Sequence, residues 1–176
     1  AYLRDKRILL ILDTCEHLID AVAALASRIF MDAPQVHILA TSREVLHVSG
    51  EVRFAVEPLA LPPADAPDVA SAAVQLFVDR ARAARPRFEL TAEAAEAAAE
   101  ICRLVDGLPL AIELAAARTN VLGLAELLLV VERRLALLRE LPPADAGRAA
   151  LGALVEWSYD LLHEDEKSLL HKVAVH

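Results

Sequence analysis

Apolar residues in the first third of the chain come in short runs separated by a stretch of helical spacing. Ile8 to Leu12 is a solid aliphatic run that stops at Asp13, which is typical of a strand buried on both faces of a parallel sheet. Val36 to Ala40 has the same character, and Val52 to Val56 predicts a third, shorter strand. From about Leu18 to Phe30 the apolar positions instead recur along one helical face. Strands separated by such a helix predict a right-handed parallel unit.

The rest of the chain has helical spacing alone. A proline-rich linker, Pro58 to Pro67, is followed by four predicted helices in which alanine supplies much of the volume. A second linker, Leu141 to Gly147, then precedes a last pair of helices. The fold class predicted is therefore α/β followed by all-α. The six helices are expected to span about Ser71 to Ala84, Thr91 to Val105, Pro109 to Arg118, Leu124 to Glu140, Arg148 to Leu162 and Glu164 to Val175.

The composition and charge of the chain argue against some classes of function. The 176 residues are 56% hydrophobic, which is ample for a buried core, and the net charge of -8 is spread along the chain without a basic patch. Direct contact between this segment and nucleic acid is therefore not expected. Two cysteines without metal-ligand spacing favour a reducing, cytoplasmic setting, and no apolar run is long enough to predict a membrane span or a secretion signal.

The first candidate for chemistry lies where the first strand ends. Asp13 would stand at the carboxyl end of a parallel strand, which is the edge where open α/β sheets bind their ligands. A carboxylate there can hold Mg²⁺ beside nucleotide phosphates, and Glu16 is near enough to orient an attacking water. The alternative is that Asp13 caps the following helix.

The second candidate is Arg43, in the sequence Thr41-Ser42-Arg43-Glu44 after the second strand. An arginine at this position would share the sheet edge with Asp13, and its planar cation could bind a γ-phosphate. The alternative is a surface arginine that pairs with Glu44 or another neighbour.

The third candidate is the turn Gly107-Leu108-Pro109-Leu110 between two helices. A glycine that ends one helix and a proline that starts the next leave backbone polar groups exposed, so a nucleotide base could lie against the proline ring. By itself this is also an ordinary turn between helices.

Taken together, these segments resemble a known family. The order LLILDTCEH, ILATSRE, AVQLFVDRARA, EICRLVDGLPLAIELAAAR and LVEWSYDLL resembles the NB-ARC-like signal-transduction ATPases of the STAND class, found in bacterial transcriptional regulators of the LuxR and SARP types. The resemblance implies ATP or ADP with Mg²⁺ as cofactors of the full-length parent. It implies Asp13 as the Walker B magnesium ligand, Arg43 as the sensor arginine, and the turn at Gly107 and Pro109 as the adenine contact.

The resemblance also implies a division into domains. Residues 1–60 would be a partial P-loop NTPase sheet, residues 61–140 a four-helix lid, and residues 141–176 a linker and the first helices of a winged-helix domain. The partners implied are the nucleotide and the sensor and effector domains of the same parent chain, with a homo-oligomer left open.

The chain departs from the family pattern at two points. Position 14 is Thr where these regulators commonly have Asn, so a water-activating role falls on Glu16 or is absent. No G-x-x-x-x-G-K-[ST] loop occurs, and such a loop would lie upstream of Ala1. We therefore expect residues 1–176 alone to bind nucleotide weakly or not at all and to lack ATPase activity, whereas the parent would be a slow ATPase.

Two other functions compete with the nucleotide switch. One is a helical interaction or scaffold protein whose nucleotide site has decayed. The other is a hydrolase that uses Cys15 and His17, for which no orienting acid or glycine-rich oxyanion hole is present.

Overall fold

A computed structural model describes residues 2–63, 68–136, 143–160 and 162–174. The chain forms two compact units, Ala1–Val56 and Glu57–His176.

The first unit contains a two-stranded parallel sheet. Strand β1 (Ile8–Leu12) pairs with strand β2 (Val36–Ala40), and Leu12 lies level with Ala40 in the register. The connecting helix α1 (Ile19–Asp32) buries Ala26 and Ile29. The predictions of two parallel strands joined by a helix are thus confirmed, and a short 3-10 turn (Cys15–His17) precedes the helix.

The prediction that β1 is buried on both faces is wrong. Leu9 is 59% exposed and Ile11 is 62% exposed. A strand of an α/β sheet is buried only when helices cover both faces of the sheet, and this unit contributes one helix.

The predicted third strand, from Val52 to Val56, is also wrong, because this segment is not in a strand. Its alternating apolar residues Val52, Phe54 and Val56 are 88 to 92% exposed. Alternation of apolar residues suits a strand, but a strand forms only where a neighbouring strand supplies the backbone hydrogen bonds.

The second unit is helical. Its helices are α2 (Ala72–Ala84), α3 (Ala92–Leu104), α4 (Pro109–Ala117), α5 (Leu124–Ala136), α6 (Pro143–Asp160) and α7 (Glu164–Ala174). Thr91, where the sequence predicts the second helix to begin, is the N-cap of α3, since its hydroxyl accepts the backbone N–H of Ala94 at 3.2 Å. The predicted end of α5 at Glu140 and the predicted end of α7 at Val175 lie outside the described residues.

The core of the helical unit joins five of its helices. Fully buried alanines on α2, α3 and α4 let the helices approach closely, and Phe77, Ile101, Ile112 and Leu127 fill the space between them. Helix α6 adds Ala150, Leu154 and Trp157 to the same core. Helix α7 has no buried residue.

The second predicted linker is wrong from residue 143 onward. Helix α6 begins at Pro143, five residues before the predicted start at Arg148. Proline is compatible with the first turn of a helix, where its missing N–H would have no intrahelical partner, and one interior glycine such as Gly147 costs a helix only about 1 kcal/mol. Residues 141 and 142 lie outside the described part of the chain.

Candidate functional site

The ends of β1 and β2 bring two polar residues into contact. Because Leu12 and Ala40 are paired in the parallel register, the next residue of each strand, Asp13 and Thr41, are neighbours. The hydroxyl of Thr41 donates a hydrogen bond to Oδ1 of Asp13. Both residues are exposed, so the carboxylate is oriented by a neighbour while it faces solvent.

Thr41 forms hydrogen bonds with four successive residues at the end of β1 and in the turn that follows it. Its backbone N–H donates to the carbonyl of Leu12 at 2.9 Å, and its carbonyl accepts the N–H of Cys15 at 2.9 Å. Its Oγ1 accepts the N–H of Thr14 at 2.9 Å and donates to Asp13. The turn after β1 is therefore held to the end of β2 by one residue.

Thr14 adopts a left-handed backbone in this turn, with φ of 59° and ψ of 48°. A β-branched residue is unfavourable in that region, whereas asparagine tolerates it. The hydrogen bond from Thr14 to Thr41 is part of what holds the strained conformation.

Asp13 does not cap a helix. The residue before the 3-10 turn is Thr14 and the residue before α1 is Leu18, and neither helical start has a side-chain capping bond. The alternative interpretation of Asp13 as a helix cap is therefore wrong, and its carboxylate instead interacts with Thr41.

Arg43 and Glu16 form an ion pair across the same edge. Nε of Arg43 donates to Oε1 of Glu16 at 2.8 Å. The side chain of Glu16 is 11% exposed and that of Arg43 is 69% exposed. A hydrogen bond from its own backbone amide, together with the hydrogen bond and charge of Arg43, holds the pKa of Glu16 below its ordinary value of 4.5. The surface pairing considered for Arg43 does occur, but with Glu16 and not with Glu44.

The chemistry of this edge suits a hydrated divalent cation. Magnesium is commonly bound through one or two carboxylates, with water and phosphate oxygens supplying the rest of its octahedron. Asp13 is exposed and has acceptor positions beyond the one used by Thr41, so it fits such a role. Among the described residues, no three His, Cys, Asp or Glu side chains are grouped to hold a metal without help from a ligand.

Cys15 is placed for packing. It is 3% exposed, and its thiol lies 3.5 Å from the carbonyl of Leu12, to which it donates. The second cysteine, Cys102, is fully buried, and this burial raises the pKa of its thiol to about 12. These surroundings disfavour either thiol as a nucleophile.

The turn between α3 and α4 is held by backbone bonds within the helical unit. Gly107 has a φ of 65°, and its N–H donates to the carbonyl of Cys102 at 3.1 Å. Its carbonyl accepts the N–H of Leu59 at 3.0 Å, and a Cβ at this position would run into the carbonyl oxygen of Leu59. Gly107 is thus buried by a close backbone contact, while Pro109 and Leu110 are the exposed residues of the turn.

The predicted site residues therefore fall into two groups. Asp13, Glu16 and Arg43 lie together after β1 and β2 in the first unit, whereas Gly107 and Pro109 lie in the helical unit. Thr41 was not singled out from the sequence. Its position directly after the second aliphatic run was the available signal, since the ends of neighbouring parallel strands meet at one edge.

Comparison with known proteins gives relatives of greater length. The chain is 43% identical over 178 aligned residues to an uncharacterised protein found in Mycobacterium tuberculosis and in Mycobacterium bovis, covering 98% of this chain and 42% of the relative. It is 37% identical over 174 residues to proteins of the same two organisms that are named provisionally as HTH-type transcriptional regulators, covering 98% of this chain and 19% of the relative. The chain thus spans less than half the length of these relatives.

The other comparisons give no match. No protein-family model matches the chain, and no solved structure matches it. Within the described residues, every helix is too short or too polar to cross a bilayer.

Proposed function

We propose that this chain is the nucleotide-responsive segment of a bacterial transcriptional regulator. ADP would hold the protein in a closed state, and exchange for ATP would release it to act on an effector domain. Asp13 would bind Mg²⁺, Arg43 would bind the terminal phosphate, and Pro109 would contact the adenine. The proposal concerns the complete protein, in which a phosphate-binding loop outside these 176 residues would have to supply the remaining contacts.

The observation that carries the proposal is the arrangement of the strand ends. Two adjacent parallel strands deliver an oriented carboxylate, Asp13, and an exposed guanidinium, Arg43, to one edge of a sheet. This is the edge where α/β sheets bind ligands, and the two charges match the two charged parts of a magnesium nucleotide. The names of the longer relatives support the regulatory setting.

Replacement of Asp13 tests the proposal. In the complete protein, Asp13→Asn keeps the shape of the side chain and removes the charge, so magnesium-dependent nucleotide binding is expected to fall at least about tenfold. Isothermal titration calorimetry with ATP and ADP, each with and without Mg²⁺, measures this change. Asp20→Asn, an exposed acid at the start of α1, is the matched control and is expected to leave affinity unchanged.

The competing function is a helical interaction protein. The observation that favours it is α7, which has no buried residue and exposes Leu169, Leu170 and Val173 by 47 to 65%. Equal nucleotide affinities in the wild type, Asp13→Asn and Arg43→Ala would exclude the nucleotide site and favour this second function.

A further inference from the structure

Glu16 and Arg43 are joined although they are 27 residues apart in sequence. The 3-10 turn after β1 places Glu16, and the segment after β2 places Arg43. The contact is a charge-assisted hydrogen bond of 2.8 Å. Glu16 therefore holds the guanidinium of Arg43 at the strand ends, while most of the arginine side chain stays exposed to solvent.

A carboxylate and a phosphate compete for the same donors of an arginine. Both are oxyanions that accept the N–H groups of the planar guanidinium fork. When Nε of Arg43 donates to Glu16, that donor is not available to a phosphate oxygen. An ordinary glutamate is already charged at neutral pH, and the backbone amide of Glu16 and Arg43 lower its pKa further, so this competition persists under physiological conditions.

This inference rests on the proposed nucleotide site: we infer that Glu16 is a specificity-determining residue that occupies Arg43 in place of a γ-phosphate. A terminal phosphate that takes the Nε donor of Arg43 displaces the carboxylate, and one that binds other N–H groups of the exposed guanidinium meets a charge that Glu16 already partly neutralises. A diphosphate, which has no γ-phosphate, leaves the ion pair intact. Glu16 therefore weakens ATP relative to ADP. This role differs from orientation of an attacking water, which the sequence suggested for the same residue.

The size of the effect follows from the exposure of the Arg43 side chain, of which 69% is in contact with solvent. Exposed ion pairs contribute little because water and salt screen them. Removal of the charge of Glu16 is therefore expected to shift the ratio of the ATP and ADP dissociation constants toward ATP by about two- to fivefold.

Glu16→Gln in the complete protein tests the inference, because it preserves the shape of the side chain and removes its charge. Calorimetry with magnesium ADP and with a non-hydrolysable magnesium ATP analogue gives the two dissociation constants. The analogue is expected to bind more tightly to the variant and ADP is expected to bind equally. Glu16→Ala, which also removes the acceptor oxygens, is expected to shift the ratio at least as far. Glu44→Gln, an exposed acid next to Arg43, is the control and is expected to leave the ratio unchanged.

A double-mutant cycle tests whether Glu16 changes the ratio of the ATP and ADP dissociation constants through Arg43. In an Arg43→Ala background, Glu16→Gln has no ion pair to release, so it is expected to leave the ratio unchanged. An equal shift with and without Arg43 would overturn the inference, because the carboxylate would then act by direct repulsion of the phosphate.

The remaining outcomes separate this inference from the proposed function. If Glu16→Gln slows ATP hydrolysis while the ratio of affinities stays constant, the nucleotide site stands and the inference fails, since Glu16 then acts on water. If the wild-type protein binds neither nucleotide, the proposed function fails and the inference fails with it.

Discussion

At the scale of single residues, the strand-end site depends on Thr41. Its hydroxyl, amide and carbonyl together hold the turn after β1, and the hydroxyl sets the orientation of the Asp13 carboxylate. One side chain therefore links the folding of the turn to the chemistry that the turn presents. In this arrangement Thr14 is held with a positive φ, which is unfavourable for a β-branched residue.

Thr14→Asn is expected to stabilise the first unit by about 1 kcal/mol, because asparagine adopts the left-handed conformation at lower cost than a β-branched residue. Native-state amide hydrogen exchange of the β1 and β2 residues measures the change in the free energy of opening. Thr14→Val is the matched control, since valine keeps the branching and is expected to be no more stable than threonine. Equal exchange in Thr14→Asn and wild type would show that the backbone strain is negligible.

The residue scale also shows what the sequence could predict of the site. Asp13 and Arg43 were recognisable because each follows an aliphatic run that predicts a buried strand. The ion pair between Arg43 and Glu16 and the bonds of Thr41 were not, because each depends on the relative placement of segments 27 or 28 residues apart. Periodicity describes one segment at a time and does not give distances between segments.

At the scale of elements, the junction between α3 and α4 is fixed by a close approach of two backbones. Gly107 and Leu59 are hydrogen bonded, and the space beside the Gly107 Cα is filled by the Leu59 carbonyl. The positive φ of Gly107 and this contact both require the absence of a side chain.

Gly107→Ala is therefore expected to destabilise the helical unit by at least about 1 to 2 kcal/mol, from the left-handed conformation alone. Urea denaturation followed by far-UV circular dichroism measures the loss. Gly123→Ala is the control, since nothing lies within 4 Å of a Cβ built at Gly123. A Gly107→Ala variant as stable as the control would show that the turn and Leu59 separate readily.

Helix positions were the most predictable part of the fold. The apolar spacing, the N-cap at Thr91 and the first-turn proline at Pro109 all act within a few residues, and the structure confirms helices there. The segment from Val52 to Val56 failed as a strand for the opposite reason, because a strand is stable only with a partner.

At the scale of the whole molecule, the two units differ in how completely they bury apolar residues. The first unit exposes Leu9, Ile11, Phe54 and other large apolar side chains, whereas the helical unit has a continuous core. That core includes α6, through Trp157, although the resemblance places this helix in a separate winged-helix domain. The division at residue 141 stays a prediction.

Trp157→Ala is expected to cost the helical unit about 3 to 5 kcal/mol, the range for truncation of a large aromatic side chain in a core. Trp157 is 6% exposed, and the guanidinium groups of Arg118 and Arg134 lie 5.5 and 5.7 Å from its ring centre. Urea denaturation followed by circular dichroism measures the loss. Val155→Ala, at a 48% exposed position on the same helix, is expected to cost under about 1 kcal/mol. Equal losses of stability in Trp157→Ala and Val155→Ala would show that the buried side of α6 stabilises the helical unit no more than its exposed side does.

The contact between Leu59 and Gly107 also decides where the helical unit can be cut. Part of the predicted linker, residues 59–63, forms a strap on the helical unit. Leu59 packs against the core, Ala60 accepts the N–H of Ala73 at 3.2 Å, and Pro63 accepts a hydrogen bond from Arg103 at 3.0 Å. A recombinant fragment that began at residue 61 would lose two of these three contacts, those of Leu59 and Ala60, and uncover the turn before Pro109. A fragment that begins at Glu57 keeps it, and is the appropriate starting point for crystallisation of the helical unit.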